Sequence, residues 1–599
     1  MQAIILAAGM GKRLKELTKY STKCMVRVND VPLINRFLMQ LDSLNLKRIV
    51  LVVGYKANEL REHIDTLNIK TPVEYVENTI FNKTNNIYSL YLAKDYLCMD
   101  DTLLLESDAI FEDSVLTKLL ENPYPNLALV DKYQSWMDGT VVILEADNRI
   151  KSFISKKHFK YKDIHLYYKT VNIYKFGREF SQSYYVPFLE AYCKALGHNE
   201  YYEQVLKVVA MLDNAPIKAL PLNGEKWYEI DDIQDLDIAE SIFAKSNEDR
   251  YRKISGRYGG YWRYPDLLDF CYLVNPYYPP QQMLDEMKAS FAQLVTNYPS
   301  GLAVNNLLAA KTFGIKKENI IVGNGAAEII KSLMKYKGGK TGIIRPSFEE
   351  YANRMDESDI VEFVSLQYTA EDLMLFFENK DIKTLLLINP DNPSGNFIGN
   401  DGLLSLLEWA GKNRINLIVD ESFSDFAENS ISLLNQESLE KYPDLIVVKS
   451  ISKSYGVPGL RLGVLAGTDE NLMNFLKKDV TIWNINSFGE FFLQICEKYS
   501  DDYRKALQRF YVERENFVRK LSKIPNLRIL PTQANFLMVE LLNGIKAEVL
   551  CEKLLERNIL VKNLGGKKGI SGEWIRVAVK TERENYILLE SLSNLEELQ

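Results

Sequence analysis

The chain has 599 residues, 46% of them hydrophobic and 26% charged, with a formal net charge of -7. That length calls for more than one domain, and the acidic balance argues against a nucleic-acid-binding surface. Six scattered cysteines with no CxxC pair point away from a disulfide framework or a zinc site, and no apolar run nears the roughly 20 residues that span a bilayer.

The second residue already enters a strand-like run, so no leader is read and a soluble, cytoplasmic protein is expected. In residues 1–243, QAIILAAG (2–9), KRIVLVVG (47–54), PVEYVE (72–77) and DTLLLESDAIF (101–111) have strand length and apolar character. LINRFLMQLDSL (33–44) and NNIYSLYLAKDYL (85–97) carry helical spacing. Such alternation predicts an α/β domain with a mostly parallel sheet. A polar, basic, glycine-containing stretch at 244–264 reads as a linker. From 265 to 599 there is a second α/β pattern, with strands expected in ENIIVGNG, GKTGIIRP, DIKTLLLINP, INLIVDES and DLIVVKS. A helical stretch after about residue 500 leads to NLRILP, NFLMVEL and EWIRVAV.

In the first domain ILAAGMGKRL (5–14) turns from a strand into glycines and then basic residues. Gly9 and Gly11 let the backbone approach a ligand, and the N–H groups after them can cradle phosphate, with Lys12 and Arg13 adding charge. The spacing is not that of a Walker A loop. With LKELTKYSTKCMVRVNDVPLI behind it, the segment resembles the nucleotidyltransferases that activate sugar phosphates and phosphocholine, with Thr22 where their usual proline stands before Lys23. The resemblance spans about residues 1–240 and implies a Rossmann-like domain with a mixed, mostly parallel sheet. It implies that Leu6, Ala7, Ala8, Gly9, Gly11, Lys12, Arg13 and Lys23 grip a nucleotide, with Lys23, Lys12 and Arg13 also catalytic. Asp108 at a strand end, Asp231 and nearby Glu229 would hold Mg2+. TNNIYSL and DKYQSWMDGTVV look like the phosphocholine cytidylyltransferase branch, which implies CTP. Asn85, Asn86 and Ser89 would then touch base or ribose, and Trp136 and Asp138 would receive a substrate ammonium.

The second domain has no histidine, since the four stand at His63, His158, His165 and His198, so Ser-His and Cys-His catalysis are excluded there. SISKSYGVPGLRLG (450–463) instead resembles the fold-type I aminotransferases near histidinol-phosphate aminotransferase, over about residues 265–599. The resemblance implies pyridoxal 5'-phosphate attached to Lys453. Ser450, Ser452, Arg461, Gly325, Ala326 and Ala327 would hold its phosphate, and Phe348 would stack on its ring. Asn392 would bond the ring hydroxyl and Asp420 the ring nitrogen, while Arg576 would clamp the carboxylate of an amino-acid donor. Tyr298 would reach a neighbouring subunit's site, which implies a homodimer. Phe423 departs from the family's tyrosine and removes a donor to the ring oxygen, so transamination is not the only reaction open.

Together the halves imply one compound that is both a primary amine and a phosphonate or phosphate. The expectation is a bifunctional enzyme of phosphonate biosynthesis. It would transaminate phosphonoacetaldehyde to 2-aminoethylphosphonate and couple that to CTP with release of pyrophosphate. The alternatives are phosphoserine decarboxylation followed by cytidylylation of phosphoethanolamine or phosphocholine, or a scaffold with an inactive domain.

Overall fold

The computed structural model describes residues 1–212, 217–542 and 544–595. The chain divides into two compact units, Met1–Ile254 and Ser255–Gln599.

The first unit is built on β1 (Gln2–Ala7), α1 (Leu33–Asp42), β2 (Ile49–Val53), β3 (Val73–Glu77), α2 (Asn86–Leu92), β4 (Thr102–Glu106), β5 (Ala109–Phe111) and β6 (Leu127–Lys132). It continues through β7 (Val141–Leu144), β8 (Ile150–Ile154), β9 (Tyr167–Phe176), α3 (Glu203–Val209), β10 (Lys218–Pro221), β11 (Trp227–Glu229) and α4 (Ile233–Ile242). The main sheet runs β8-β7-β9-β4-β1-β2-β3, with β6 and β10 attached through β9. β4, β1, β2 and β3 are parallel, and β9 lies antiparallel to β4. Every residue of β1 and β2 is buried, as expected of central strands covered on both faces.

DTLLLESDAIF is two strands rather than one, and Ser107 and Asp108 form the turn between them. β5 then pairs antiparallel with β11, with Ala109 opposite Glu229. The Ile230 N–H donates to the Asp108 carbonyl at 2.8 Å. This small ribbon brings three acidic residues from distant sequence to one strand end. NNIYSLYLAKDYL also divides, at Ala93, whose ψ of 12° leaves the helical range. The first half of the 244–264 stretch is a helix, α5 (Asn247–Ser255). Glu248 and Asp249 lie in its first turn and Arg252 and Lys253 in its last, matching the helix dipole.

In the second unit the chain order is α6 (Leu302–Phe313), β12 (Ile320–Asn324), α7 (Gly325–Tyr336), β13 (Thr341–Arg345), β14 (Ile360–Val364), β15 (Thr384–Ile388) and β16 (Asn416–Asp420). Next come β17 (Leu445–Ser450), α8 (Ile451–Ser454), β18 (Leu462–Ala466), α9 (Ser500–Leu521), β19 (Leu527–Ile529), β20 (Phe536–Leu541), β21 (Lys562–Asn563) and β22 (Trp574–Ala578). The seven-stranded sheet runs β12-β18-β17-β16-β15-β13-β14. Only β18 is antiparallel to its neighbours. Apolar residues alternate to the two faces of this sheet and feed two separate cores, one holding Leu385, Leu387, Leu417 and Val419, the other Leu386, Ile388 and Ile418. A four-stranded antiparallel sheet, β19-β20-β22-β21, forms the C-terminal lobe. Among the described residues no helix is long and apolar enough to cross a membrane.

Candidate active sites

In the first unit β1 ends in the turn Gly9–Gly11. Gly11 sits at φ 58°, and a side chain there would crowd Lys23 at 3.1 Å, so this left-handed step brings the turn against the lysine. Beyond Gly11 the chain enters a 3-10 segment, Lys12–Thr18, kinked at Lys15. The glycine turn opens onto a cavity of about 520 Å³. Its lining includes Leu6, Ala8, Gly9, Gly11, Lys12 and Arg13, and beyond them Lys23, Asn85, Asn86, Ser89, Asp108 and Asp231.

The Lys23 ammonium donates to Asp108 Oδ2 at 2.6 Å and to Asp231 Oδ1 at 2.7 Å. Burial pulls the lysine pKa down, but the two aspartates together outweigh it and hold it well above the ordinary value. Arg13 adds a second cation, 2.6 Å from Asp231 and 3.7 Å from Asp138. One oxygen each of Asp108, Glu229 and Asp231 lies within 4.8 Å of the others. Asp108 Oδ1 is buried and has no hydrogen-bond partner among the described residues, so this hard-oxygen set has a lone pair left for a cation. Burial raises the Glu229 carboxyl to about 7, with Lys169 at 3.3 Å pulling the other way.

Other expected contacts are engaged within the protein. Asn85 caps α2 by accepting from the Asn86 N–H, and Asn78 donates to Ser89 Oγ at 3.1 Å. The Asn86 amide donates to Glu106 and accepts from the Tyr202 N–H. Ala7, Glu229, Trp136 and Asp138 are not among the lining residues. Trp136 stacks on Tyr228 with ring centroids 4.0 Å apart, so one of its faces is covered. Sequence reasoning missed Asn78, Asn82, Thr84, Glu106, Asn199 and Tyr201, which also line the cavity.

In the second unit Lys453 lies on α8, just past the end of β17, with its ammonium 3.9 Å from the centre of the Phe423 ring and 5.6 Å from that of Phe348. Burial lowers its pKa to about 8; Asp420 opposes this, and Arg576 and Arg461 add to it. Asp420 ends β16, where its carboxylate accepts from Tyr351 Oη at 2.9 Å and from the Ser422 N–H at 2.9 Å. Gly325 opens α7 at φ 73°, and its N–H donates to the Arg461 carbonyl at 2.8 Å. A side chain at Gly325 would lie 2.6 Å from the Arg461 guanidinium. Ala326 and Ala327 continue that first turn of α7, and Ser450 ends β17. Bare backbone, a helix start and a guanidinium meet there, which fits a phosphate. Ser452 Oγ instead both accepts from and donates to the Leu462 backbone.

Arg576, on β22, donates to Asn392 Oδ1 at 2.6 Å and to the Cys271 carbonyl at 2.9 Å. Its Nε is buried without a partner among the described residues, leaving a donor for an incoming carboxylate. Phe423 is buried and packs edge-on against Phe536 at 5.2 Å. Tyr298 is 81% exposed and stacks on Trp483 at 4.7 Å.

Residues 3–147 match the MobA-like NTP transferase domain family, and residues 269–592 match aminotransferase class I and II. Over 99% of its length the chain is 29% identical to a CMP-5'-(3-aminopropyl)phosphonate synthase of Streptomyces rubellomurinus, covering 95% of that protein. An L-serine phosphate decarboxylase of Sulfurospirillum multivorans is 33% identical over 55% of this chain and 88% of its own. The solved structure of a decarboxylase from that organism superposes with a TM-score of 0.52 and 31% identity, covering 57% of this chain and 91% of its own. The chain is an enzyme that joins an N-terminal nucleotidyltransferase domain to a C-terminal half belonging to the class I and II aminotransferase family.

Proposed function

We propose that the first unit transfers a cytidylyl group from CTP to a short aminoalkylphosphonate, and that the second unit makes the primary amine of that compound. The observation that carries the first half is the Lys23 ammonium held between Asp108 and Asp231 beside the Gly9–Gly11 turn. A phosphonate oxygen attacks the α-phosphorus of CTP, the bond to the bridging oxygen breaks, and pyrophosphate leaves. Lys23, Lys12 and Arg13 hold the triphosphate and balance the charge that builds on its oxygens. Asp108 and Asp231, with Glu229, would hold Mg2+, which would neutralise further phosphate charge. The full-length Streptomyces relative supports the choice of substrates, because its name joins CMP to an aminoalkylphosphonate.

In the second unit pyridoxal phosphate, when bound, supplies the electron sink for breaking a bond at the amino carbon. Gly325, Arg461 and Ser450 would seat its phosphate, and Lys453 would carry it. Asp420 would pair with its ring nitrogen. Arg576 orients the substrate carboxylate, and Lys453, with its pKa near neutrality, moves the proton at the amino carbon. Transamination of phosphonoacetaldehyde and decarboxylation of an amino acid bearing the phosphonate both give an aminoalkylphosphonate. The 33% identical decarboxylase and the Phe423 substitution favour the second route. In that route 2-amino-3-phosphonopropanoate loses carbon dioxide to leave 2-aminoethylphosphonate. The exposed side chains of Phe291, Val295, Tyr298, Ile482 and Trp483 support a homodimer through the second unit.

Pyrophosphate release with CTP and a panel of amines tests the first half; preference for phosphocholine overturns it. Carbon dioxide release against consumption of an amino donor decides the route of the second.

A further inference from the structure

The cavity of the first unit is lined by both basic and acidic side chains, Lys12, Arg13 and Lys23 with Glu106, Asp108 and Asp231. Lys12 and Arg13 are exposed, whereas Glu106, at the end of β4, is partly buried on the same lining. No cation pairs with Glu106 among the described residues. Its one hydrogen bond is long, 3.2 Å, from the neutral Asn86 amide. Burial, followed by the charges of Asp108, Glu203 and Glu229, opposes its ionisation, and Lys169 favours it. Lys169 is already spent on Glu229, the Thr170 carbonyl and Asn172. Glu203, on the first turn of α3, is 5% exposed, and its Oε2 has no partner among the described residues. Burying carboxylates without cations is costly unless a ligand brings the missing charge.

We propose that Glu106, backed by Glu203, receives the primary ammonium of the aminoalkylphosphonate. The assignment rests on cytidylyl transfer being the reaction of this unit. The phosphonate then lies by Lys23 and Asp108, and the ammonium lies by a carboxylate only two residues away in sequence from that aspartate. An –NH3+ group donates three hydrogen bonds, so a carboxylate with open lone pairs rewards it over a quaternary ammonium, which donates none. Trp136 and Asp138, expected from sequence to take this role, do not line this cavity, and Tyr228 covers one face of Trp136. Glu106 therefore sets the choice of a primary amine.

The test uses the full-length protein with Mg2+ and CTP, and measures pyrophosphate release with four acceptors. These are 2-aminoethylphosphonate, 3-aminopropylphosphonate, the trimethylated form of the first, and ethylphosphonate, which has no nitrogen. The wild type should favour the two primary amines. Glu106→Gln should lower kcat/KM for them by about 10- to 100-fold, mainly through KM, and bring the amine-to-ethylphosphonate ratio toward one. Glu106→Asp, which keeps the charge, should retain part of the preference and guards against misreading a folding defect. Equal losses with amine and ethylphosphonate would overturn the proposal. A raised KM for CTP with the amine preference intact would assign Glu106 to the cytosine amino group and also overturn it. A wild type that transfers CMP without preferring amines would refute the subsite alone. A wild type inactive with every acceptor would refute the cytidylyltransferase reading itself, and the subsite with it.

Discussion

Lys23 and Lys453 are both surrounded by ionisable groups, yet one is held above the ordinary lysine range and the other falls to about 8. Two aspartates at hydrogen-bond distance explain the first. Burial without a close ion pair, together with Arg576 and Arg461, explains the second. Lys23→Ala should cut pyrophosphate release by about 100- to 1,000-fold, the usual loss when one positioned donor to a developing anion is removed. The reaction of the second unit, measured on the same sample, should persist. For Lys453 the sign comes from its lowered pKa. Below about pH 8 the amine is protonated in both folded and unfolded chains, and folding carries the full desolvation cost. Between about 8 and its ordinary 10.5 the unfolded chain holds more protons, so the stability of the apoprotein rises with pH across that window. Thermal unfolding of the apoprotein should show this rise, and Lys453→Met should flatten it.

At the scale of elements, the second site depends on how α7 begins. Gly325 adopts a left-handed backbone, and its missing side chain leaves room for the Arg461 guanidinium. Gly325→Ala should cost about 1–2 kcal/mol of stability and loosen pyridoxal phosphate about tenfold or more, measurable by denaturation and by cofactor titration. Three strands were legible in the sequence as compact apolar runs: the one that Asp420 ends, the one that leads into the helix of Lys453, and β22, with Arg576 at its middle. So was Asp108, whose ESD comes directly after a buried strand. The ammonium subsite was not. Glu106 looks like the last residue of a strand and Glu203 like a helix-start acid. Only the tertiary fold links them, through Asn86, which donates to Glu106 and accepts from the N–H of Tyr202 next to Glu203, and no local spacing encodes that. The same limit hid the engagement of Trp136, because Tyr228 is 92 residues later in the chain.

At the scale of the molecule, two units carry two separate sets of residues, so single substitutions should divide the activities. Lys453→Ala should abolish the visible absorbance of bound cofactor while cytidylyl transfer to added 2-aminoethylphosphonate continues. The exposed stack of Tyr298 on Trp483, with the neighbouring Ile482 72% exposed, is an apolar surface of the kind that monomers seldom leave open. Sedimentation should find a dimer for the wild type, and Trp483→Asp should shift it toward monomer. Here too the sequence was informative only in part. It marked Tyr298 through family resemblance, but the neighbouring aromatic and aliphatic side chains come from segments almost 200 residues apart.

The Lys23 bridge has a consequence for the order in which ligands arrive. With the ammonium seated between Asp108 and Asp231, a lone divalent ion meets a site whose negative charge is already matched, and must displace a cation to enter. A triphosphate changes that account, since it offers the lysine a new partner at the moment the aspartates become free. Under the proposed Mg2+ assignment, metal and nucleotide would favour each other's entry, and neither would gain much alone. Calorimetry should find weak Mg2+ binding to the ligand-free protein and markedly tighter binding with CTP present, whereas Lys23→Ala should bind Mg2+ well without nucleotide. If the acidic trio holds Mg2+ as proposed, the empty enzyme keeps that site closed until there is a nucleotide to activate.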